Sequence, residues 1–156
     1  MSLYKALGCA IVLAFFCGLG QAQTDNVSGE ITFANGKTQN FTRFSTGYSQ
    51  DVLFYADNLE DLRAVFKHGS YQFSEMRSAK YSGLSEIDFV EMSKEETSVV
   101  EKGAGPGDDV RKVNLLLRDG RKLEGVFITF AFSGWWGDGT LSGKLVGPKV
   151  AKVTLR

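Results

Sequence analysis

The segment "FSGWWGDGTLSG", residues 132–143, holds the side chains best suited to contacting a ligand. Adjacent residues of a strand point to opposite faces, so at most one of Trp135 and Trp136 can join a given side of the core. The other indole, together with Asp138, could stack on a sugar ring or anchor a protein partner. The alternative is that both indoles cover the rim of the core, because large aromatic side chains are usually mostly buried. We predict that Trp135, Trp136 and Asp138 bind the ligand or partner.

The chain contains few histidine and cysteine residues that could support catalysis or metal binding. His68 is the single histidine, and both cysteines lie in the first 22 residues. A serine or cysteine nucleophile needs a base beside it, and no GxSxG elbow is present to hold one. The usual zinc ligand sets also require His or Cys. The sequence therefore predicts no catalytic residue, no metal site and no cofactor, with His68 as an ordinary turn residue.

Carboxylates are the remaining source of acid–base chemistry. The candidates are Asp108-Asp109, Glu95-Glu96 and Asp138. A glycosidase needs two carboxyl groups about 5 to 10 Å apart across the scissile bond, which spacing along a chain does not establish. The Gly-rich acidic stretches also lack the alternating spacing of a calcium loop. A small carboxylate-dependent hydrolase acting on glycan or cell-wall material is thus the alternative function.

The N-terminus has the pattern of a secretory signal peptide. Lys5 precedes an apolar block of about fifteen residues, which ends in small residues before a possible cleavage site. This block is shorter than the roughly twenty residues that cross a bilayer as a helix. We predict that residues 1–22 are cleaved, that no transmembrane segment remains, and that the protein is secreted or periplasmic. Cleavage would remove Cys9 and Cys17 and leave no disulfide.

Charge is balanced along the rest of the chain. The chain has 18 basic and 18 acidic side chains, and Lys5 is the only charged residue of the signal segment, so 17 basic residues face 18 acidic ones. The signs alternate in "RDGRKLEG" and "GDDVRK". A nucleic-acid surface needs Lys and Arg segregated from acids. We therefore expect no nucleic-acid partner, and a protein or glycan partner instead.

Two similar stretches, "EITFANGKTQNF" and "NLLLRDGRKLEG", each read as a β-hairpin. Asn35-Gly36 and Asp119-Gly120 each follow a β-prone run and precede a polar strand. Both pairs favour a two-residue type I′ turn, because its central residues need positive φ.

The resemblance between the halves extends to a second pair of segments, residues 73–89 and 141–155, which align with a two-residue gap. This predicts an internal duplication with a period too long for a solenoid. The β modules would be residues 23–92 and 113–156, joined by a linker or long exposed loop at 93–112, which is rich in Gly and acids. Whether the modules pack as one domain stays open.

The segment 57–73 allows two interpretations. Asn58 could cap a short helix, or the chain could form a hairpin around His68-Gly69, which the alternation of apolar residues favours. A strand at 126–132 has two apolar faces and is predicted to be central. The sequence predicts an all-β fold, a small barrel or sandwich of about ten strands with at most one short helix.

These observations favour an exported, non-catalytic binding or interaction module. Besides the hydrolase, a third possibility is a structural subunit that adds strands to the sheet of a partner.

Overall fold

The computed structural model describes residues 27–45, 51–67, 73–106, 108–130, 135–136 and 150–156. Most of their secondary structure is β, as predicted. None of the helices in these ranges has the length and hydropathy of a membrane span. The predicted signal peptide lies outside the described residues. The strands are β1 (Gly29–Phe33), β2 (Thr38–Phe41), β3 (Phe44–Ser45), β4 (Val52–Ala56), β5 (Arg77–Lys80), β6 (Leu84–Val90), β7 (Asp109–Leu117), β8 (Lys122–Phe130), β9 (Trp135–Trp136) and β10 (Val150–Leu155). The α-helices are α1 (Leu59–Phe66) and α2 (Lys94–Gly103), and single 3₁₀ turns span Phe73–Glu75 and Tyr81–Gly83.

Eight of the strands form one antiparallel sheet in the order β2-β1-β10-β6-β7-β8-β4-β5. The strands β3 and β9 pair separately as a short ribbon. Strands from both halves of the sequence share the large sheet, because β10 lies between β1 and β6. The sheet is open, with β2 and β5 at its edges, so the expectation of a closed barrel is wrong.

The inner face of the sheet carries the main hydrophobic core. Because successive side chains of a strand point to opposite faces, every second residue of each strand lies on this face, and these residues are mostly apolar. Six of these residues, from six different strands, are at most 1% exposed: Ile31, Leu53, Ile87, Leu115, Ile128 and Val153.

The two edges of the sheet approach each other around Phe44. Its ring lies 5.7 Å from the ring of Phe41, at the end of β2, and 4.8 Å from the ring of Tyr81, which follows β5. The contact with Tyr81 is edge to face, a favoured arrangement of aromatic pairs. The sheet therefore curves around its core, and we call the three rings of Phe41, Phe44 and Tyr81 the seam.

The two α-helices cover the outer face of β4, β7 and β8. Leu62 and Val65 of α1 and Val100 of α2 pack there in a second cluster with Val110 and Phe127. The prediction of at most one short helix is therefore wrong. Burial of these apolar side chains against the sheet supplies most of the stability that helices this short lack in isolation.

Helix α1 replaces the hairpin that the sequence favoured for 57–73. Asn58 caps it, because Oδ1 of Asn58 accepts a hydrogen bond from the backbone N of Asp61 at 3.0 Å. Leu62 and Val65, three residues apart, share the buried face. The hairpin prediction is wrong for residues 59–66, because the cap and the spacing of three outweigh the alternation. His68 lies outside the described residues.

Helix α2 lies within 93–112, where the sequence predicted a linker or long loop. Ser93 and Glu96 form a capping box, with Oγ of Ser93 accepting from N of Glu96 at 3.2 Å and Oε2 of Glu96 accepting from N of Ser93 at 2.8 Å. The acids that suggested a solvated loop instead stand in the first turn, where they interact favourably with the helix dipole.

Glu96 also joins α2 to the sheet, since its Oε1 lies 2.8 Å from Nζ of Lys112 on β7. The hydrogen bond from Lys112 and that from the backbone of Ser93 lower the pKa of Glu96 below its ordinary value of 4.5. A carboxylate with a lowered pKa in the folded state stabilises the fold above its unfolded pKa, and this contribution disappears as the pH falls through the folded pKa.

We therefore expect Glu96→Gln to lower the free energy of unfolding at neutral pH and to reduce its loss on acidification below about pH 4.5. Urea unfolding at neutral and acidic pH measures both effects. Glu95→Gln is the matched control, because Glu95 pairs with Arg63 but its side chain is 73% exposed. An unchanged pH dependence in Glu96→Gln would contradict the role of this carboxylate.

The first hairpin joins β1 to β2, as predicted, but its turn differs from the expected type. Only Gly36 of the Asn35-Gly36 pair has positive φ, at 80°. The backbone N of Gly36 donates to O of Phe33 at 2.9 Å, and N of Phe33 donates to O of Lys37 at 2.8 Å. This is a three-residue loop, a type I turn followed by a left-handed glycine, so the prediction of a type I′ turn is wrong.

The second hairpin, between β7 and β8, repeats this turn. Gly120 has a φ of 87° and donates from its backbone N to O of Leu117 at 3.0 Å, while N of Leu117 donates to O of Arg121 at 2.9 Å. Oδ1 of Asp119 accepts a hydrogen bond from N of Arg121 at 3.0 Å. In the first hairpin, Oδ1 of Asn35 accepts the equivalent bond from N of Lys37, also at 3.0 Å. Both predicted hairpins are confirmed.

Candidate ligand-binding site

The two tryptophans of the predicted site form β9, beside the seam. Strand β9 pairs with β3 so that Trp136 lies opposite Phe44 and Trp135 opposite Ser45. Asp138 lies outside the described residues. Which indole faces outward remains a prediction, and the backbone pairing gives the position of the tryptophan pair in the fold.

Phe44 connects this ribbon to the body of the protein. Its side chain is 1% exposed and contacts the aromatic rings at both edges of the sheet. Strand β3 follows β2 after two residues, so its path is short. The pairing of β9 with β3 therefore places the tryptophan backbone beside the two edges of the curved sheet, β2 and β5.

The seam depends on a glycine that sequence reasoning did not single out. Gly29 lies opposite Phe41 in the pairing of β1 with β2 and opposite Leu155 in the pairing with β10. A Cβ atom at Gly29 would lie 1.9 Å from the carbonyl O of Thr154 and 2.8 Å from Cζ of Phe41. A glycine inside a strand often marks such a close approach, which is the signal that could have identified it.

Three of the acids considered for catalysis, Glu95, Glu96 and Asp109, are engaged in ion pairs. An Oε1 atom of Glu95 lies 2.8 Å from Nη2 of Arg63, and Oδ1 of Asp109 lies 2.8 Å from Nε of Arg111. Glu96 is bound to Lys112, and its pKa is lowered. A general acid working near neutral pH needs a raised pKa, so Glu96 is unsuited to that role.

A second group of acids, which the sequence did not suggest, lines a cleft of about 220 Å³ at the start of α1. Oδ2 of Asp57 lies 2.8 Å from Nε of Arg77, and Oδ2 of Asp61 accepts from Nδ2 of Asn58 at 2.9 Å. Glu75 completes the group. Two of the three carboxylates thus hold local structure. In the described ranges, no cluster of three or more His, Cys, Asp or Glu side chains is arranged to hold a metal ion.

The outer face of β6 and β10, away from the helices, is polar and paired within itself. Nζ of Lys152 lies 2.8 Å from Oε2 of Glu86 and 3.3 Å from Oδ1 of Asp88. The hydrogen bonds from Lys152 to Glu86 and then to Asp88 raise the pKa of Lys152. Lys152 bridges both carboxylates across the strands, so these three side chains carry a sum of one negative charge and both acids are held in ion pairs.

No protein-family model, curated protein or solved structure matches the chain.

Proposed function

We propose that this protein is an exported, non-catalytic binding module whose protein or glycan partner is anchored by Trp135 or Trp136. The observation that carries the proposal is the pairing of β9 with β3, which holds the tryptophan backbone opposite Phe44. Binding residues are commonly carried by short segments on a rigid scaffold. An indole offers a large apolar face and one N–H donor, which suits both a sugar ring and a protein hot spot.

The engagement of five of the described acids supports binding over hydrolysis. Ion pairs or cap hydrogen bonds hold Asp57, Asp61, Glu95, Glu96 and Asp109. Carboxylates that are bound in this way are poorly prepared to exchange protons with a substrate.

Tryptophan fluorescence titrated with a glycan panel, together with affinity capture from the native cell envelope, tests this function. Once a ligand is found, we expect Trp135→Ala or Trp136→Ala to weaken its binding about 30-fold, equivalent to about 2 kcal/mol. Only one of these two alanine substitutions should have this large effect, because adjacent strand residues point to opposite faces and only one indole can face the ligand.

Trp→Phe at each position is the matched control and should retain part of the affinity, since it keeps an aromatic face. Parental affinity in both alanine variants would refute the tryptophan anchor. Turnover of any glycan by the protein would favour the hydrolase instead.

We also propose that six strands of the sheet descend from an internal duplication. The order β2-β1-β10-β6-β7-β8 reads as two mirrored sets, with β1 matching β7, β2 matching β8 and β10 matching β6. Ile31 pairs with Val153 in one set, and Leu115 pairs with Ile87 in the other. Ile87 and Val153 face each other at the centre, which supports a two-fold relation between the halves.

One irregularity of each set matches as well, whereas the register shift between Val113 and Leu115 in the pairing of β7 with β8 has no counterpart in the pairing of β1 with β2. Ala151 is an extra residue of β10 opposite the step 32–33, and Ser85 is an extra residue of β6 opposite the step 116–117. Bulges are specific features of a fold, so their occurrence at equivalent places supports common descent.

Exchange of the two turns tests this equivalence. The segment 34–37, "ANGK", replaced by "RDGR" from 118–121, should leave the circular dichroism spectrum and the thermal unfolding midpoint nearly unchanged, because both segments form the same loop. Loss of the first hairpin in this variant would contradict the equivalence of the two turns.

A further inference from the structure

The tip of the first hairpin carries a chemically reactive pair. Asn35 is the one asparagine of the sequence that is followed by glycine. Both residues of the pair are exposed, and no heavy atom lies within 4 Å of the place that a Cβ of Gly36 would occupy. A backbone nitrogen flanked by no side chain is open to approach by a neighbouring amide carbon.

We propose that Asn35 is a site of spontaneous deamidation in the folded protein. The backbone nitrogen of Gly36 loses its proton and attacks Cγ of Asn35, forming a new C–N bond. The side-chain amide nitrogen leaves as ammonia, and a five-membered succinimide results. Water then adds to either carbonyl of this imide and opens it to aspartate or to isoaspartate, with no change in oxidation state.

The other described asparagines are poor sites for the same reaction. Asn40, Asn58 and Asn114 precede Phe41, Leu59 and Leu115, whose side chains crowd the attacking nitrogen. Reactivity is therefore concentrated at Asn35.

The fold slows the reaction at Asn35 without preventing it. The nucleophilic nitrogen of Gly36 donates to O of Phe33 at 2.9 Å, and Oδ1 of Asn35 accepts from N of Lys37 at 3.0 Å. Both bonds must break before the ring closes. They lie at an exposed loop next to the edge strand β2, where local opening costs little free energy.

The second hairpin indicates how the aspartate product would be accommodated. Asp119 occupies the place of Asn35 in an identical turn, where Oδ1 accepts from N of Arg121 at 3.0 Å and Oδ2 pairs with Nε of Arg121 at 2.8 Å. Lys37 stands at the position of Arg121, so an aspartate at 35 gains a cation beside it. Isoaspartate adds a methylene to the backbone and disrupts the three-residue loop.

Incubation of the folded chain in mildly alkaline buffer, followed by peptide mass spectrometry, tests the proposal. We expect the mass gain of amide-to-acid conversion in the peptide containing Asn35, several-fold faster than in peptides containing Asn40, Asn58 or Asn114. The same chain unfolded in urea should convert faster still. Asn35→Gln should abolish the product in this peptide, because its ring closure is much less favourable.

Asn35→Asp is the second variant, and it should retain the unfolding midpoint of the parent chain, whereas the isolated isoaspartate form should unfold at a lower temperature. Conversion of Asn35 in the folded chain no faster than that of Asn114 would overturn the proposal. Equal rates in folded and unfolded chains would refute the protective role of the two hydrogen bonds.

Discussion

Phe44→Ala should lower the free energy of unfolding by about 3 to 5 kcal/mol, the usual loss for a buried phenylalanine. The side chain is 1% exposed and contacts Phe41 and Tyr81 at opposite edges of the sheet. Its removal leaves a cavity and also separates these edges, so relaxation can recover little of the loss. Urea unfolding followed by circular dichroism measures the change.

Phe44→Leu is the matched control, and we expect a smaller loss because leucine keeps an apolar side chain in the seam. Val90→Ala provides a surface comparison, since Val90 is 39% exposed. Similar losses for Phe44→Ala and Val90→Ala would contradict the seam as a structural element.

The same substitution links stability to the proposed function. Because β9 pairs with β3, loss of the Phe44 contacts should release the ribbon that positions Trp135 and Trp136. We therefore expect Phe44→Ala to weaken ligand binding at temperatures where the protein remains folded. Retained affinity would place the binding surface elsewhere.

Gly29→Ala should cost about 3 kcal/mol, at the upper end of the losses caused by overpacking. The added methyl group would lie 1.9 Å from the carbonyl O of Thr154, a backbone atom that cannot move alone. Strand β1 would have to separate from β10, which weakens the ladder from Gly29 to Phe33. Thermal and urea unfolding measure the loss.

Gly83→Ala is the control for this substitution, because nothing lies within 4 Å of the added Cβ and the φ of Gly83 is not positive. We expect its effect to stay within about 0.5 kcal/mol, the usual range for surface changes. A neutral Gly29→Ala would show that β1 and β10 are less tightly packed than the structure describes.

Short-range chemistry was sufficient to predict several elements. The Asn-Gly and Asp-Gly pairs predicted both hairpins, because a turn depends on a few consecutive residues. The predicted turn type is wrong, since a three-residue loop uses positive φ at the glycine alone. Asn58 caps α1, as its position before Leu59 indicates, whereas the alternation of apolar residues beyond it favours a hairpin that does not form.

Other features were decided by contacts between distant residues. Residues 59–66 form a helix because Leu62 and Val65 bury against β4 and β8, and residues 94–103 do so because Val100 packs into the same cluster and Glu96 binds Lys112. A local window contains the caps but not these partners. The acidic composition of α2 therefore resembled that of a solvated loop.

In the candidate site, too, the residue types follow from the sequence and their placement depends on contacts between distant residues. Residue types alone singled out Trp135, Trp136 and Asp138, because adjacent indoles near glycines are unusual in a strand. The partner of β9 could not be read in this way, nor could the insertion of β10 between β1 and β6. A pattern of period two specifies which side of a strand is apolar and leaves its neighbours undetermined. Sequence thus determines the positions of the two turns, the cap at Asn58 and the aromatic pair, whereas long-range packing decides strand order, the approach of the two sheet edges at the seam and the place of the tryptophans beside it.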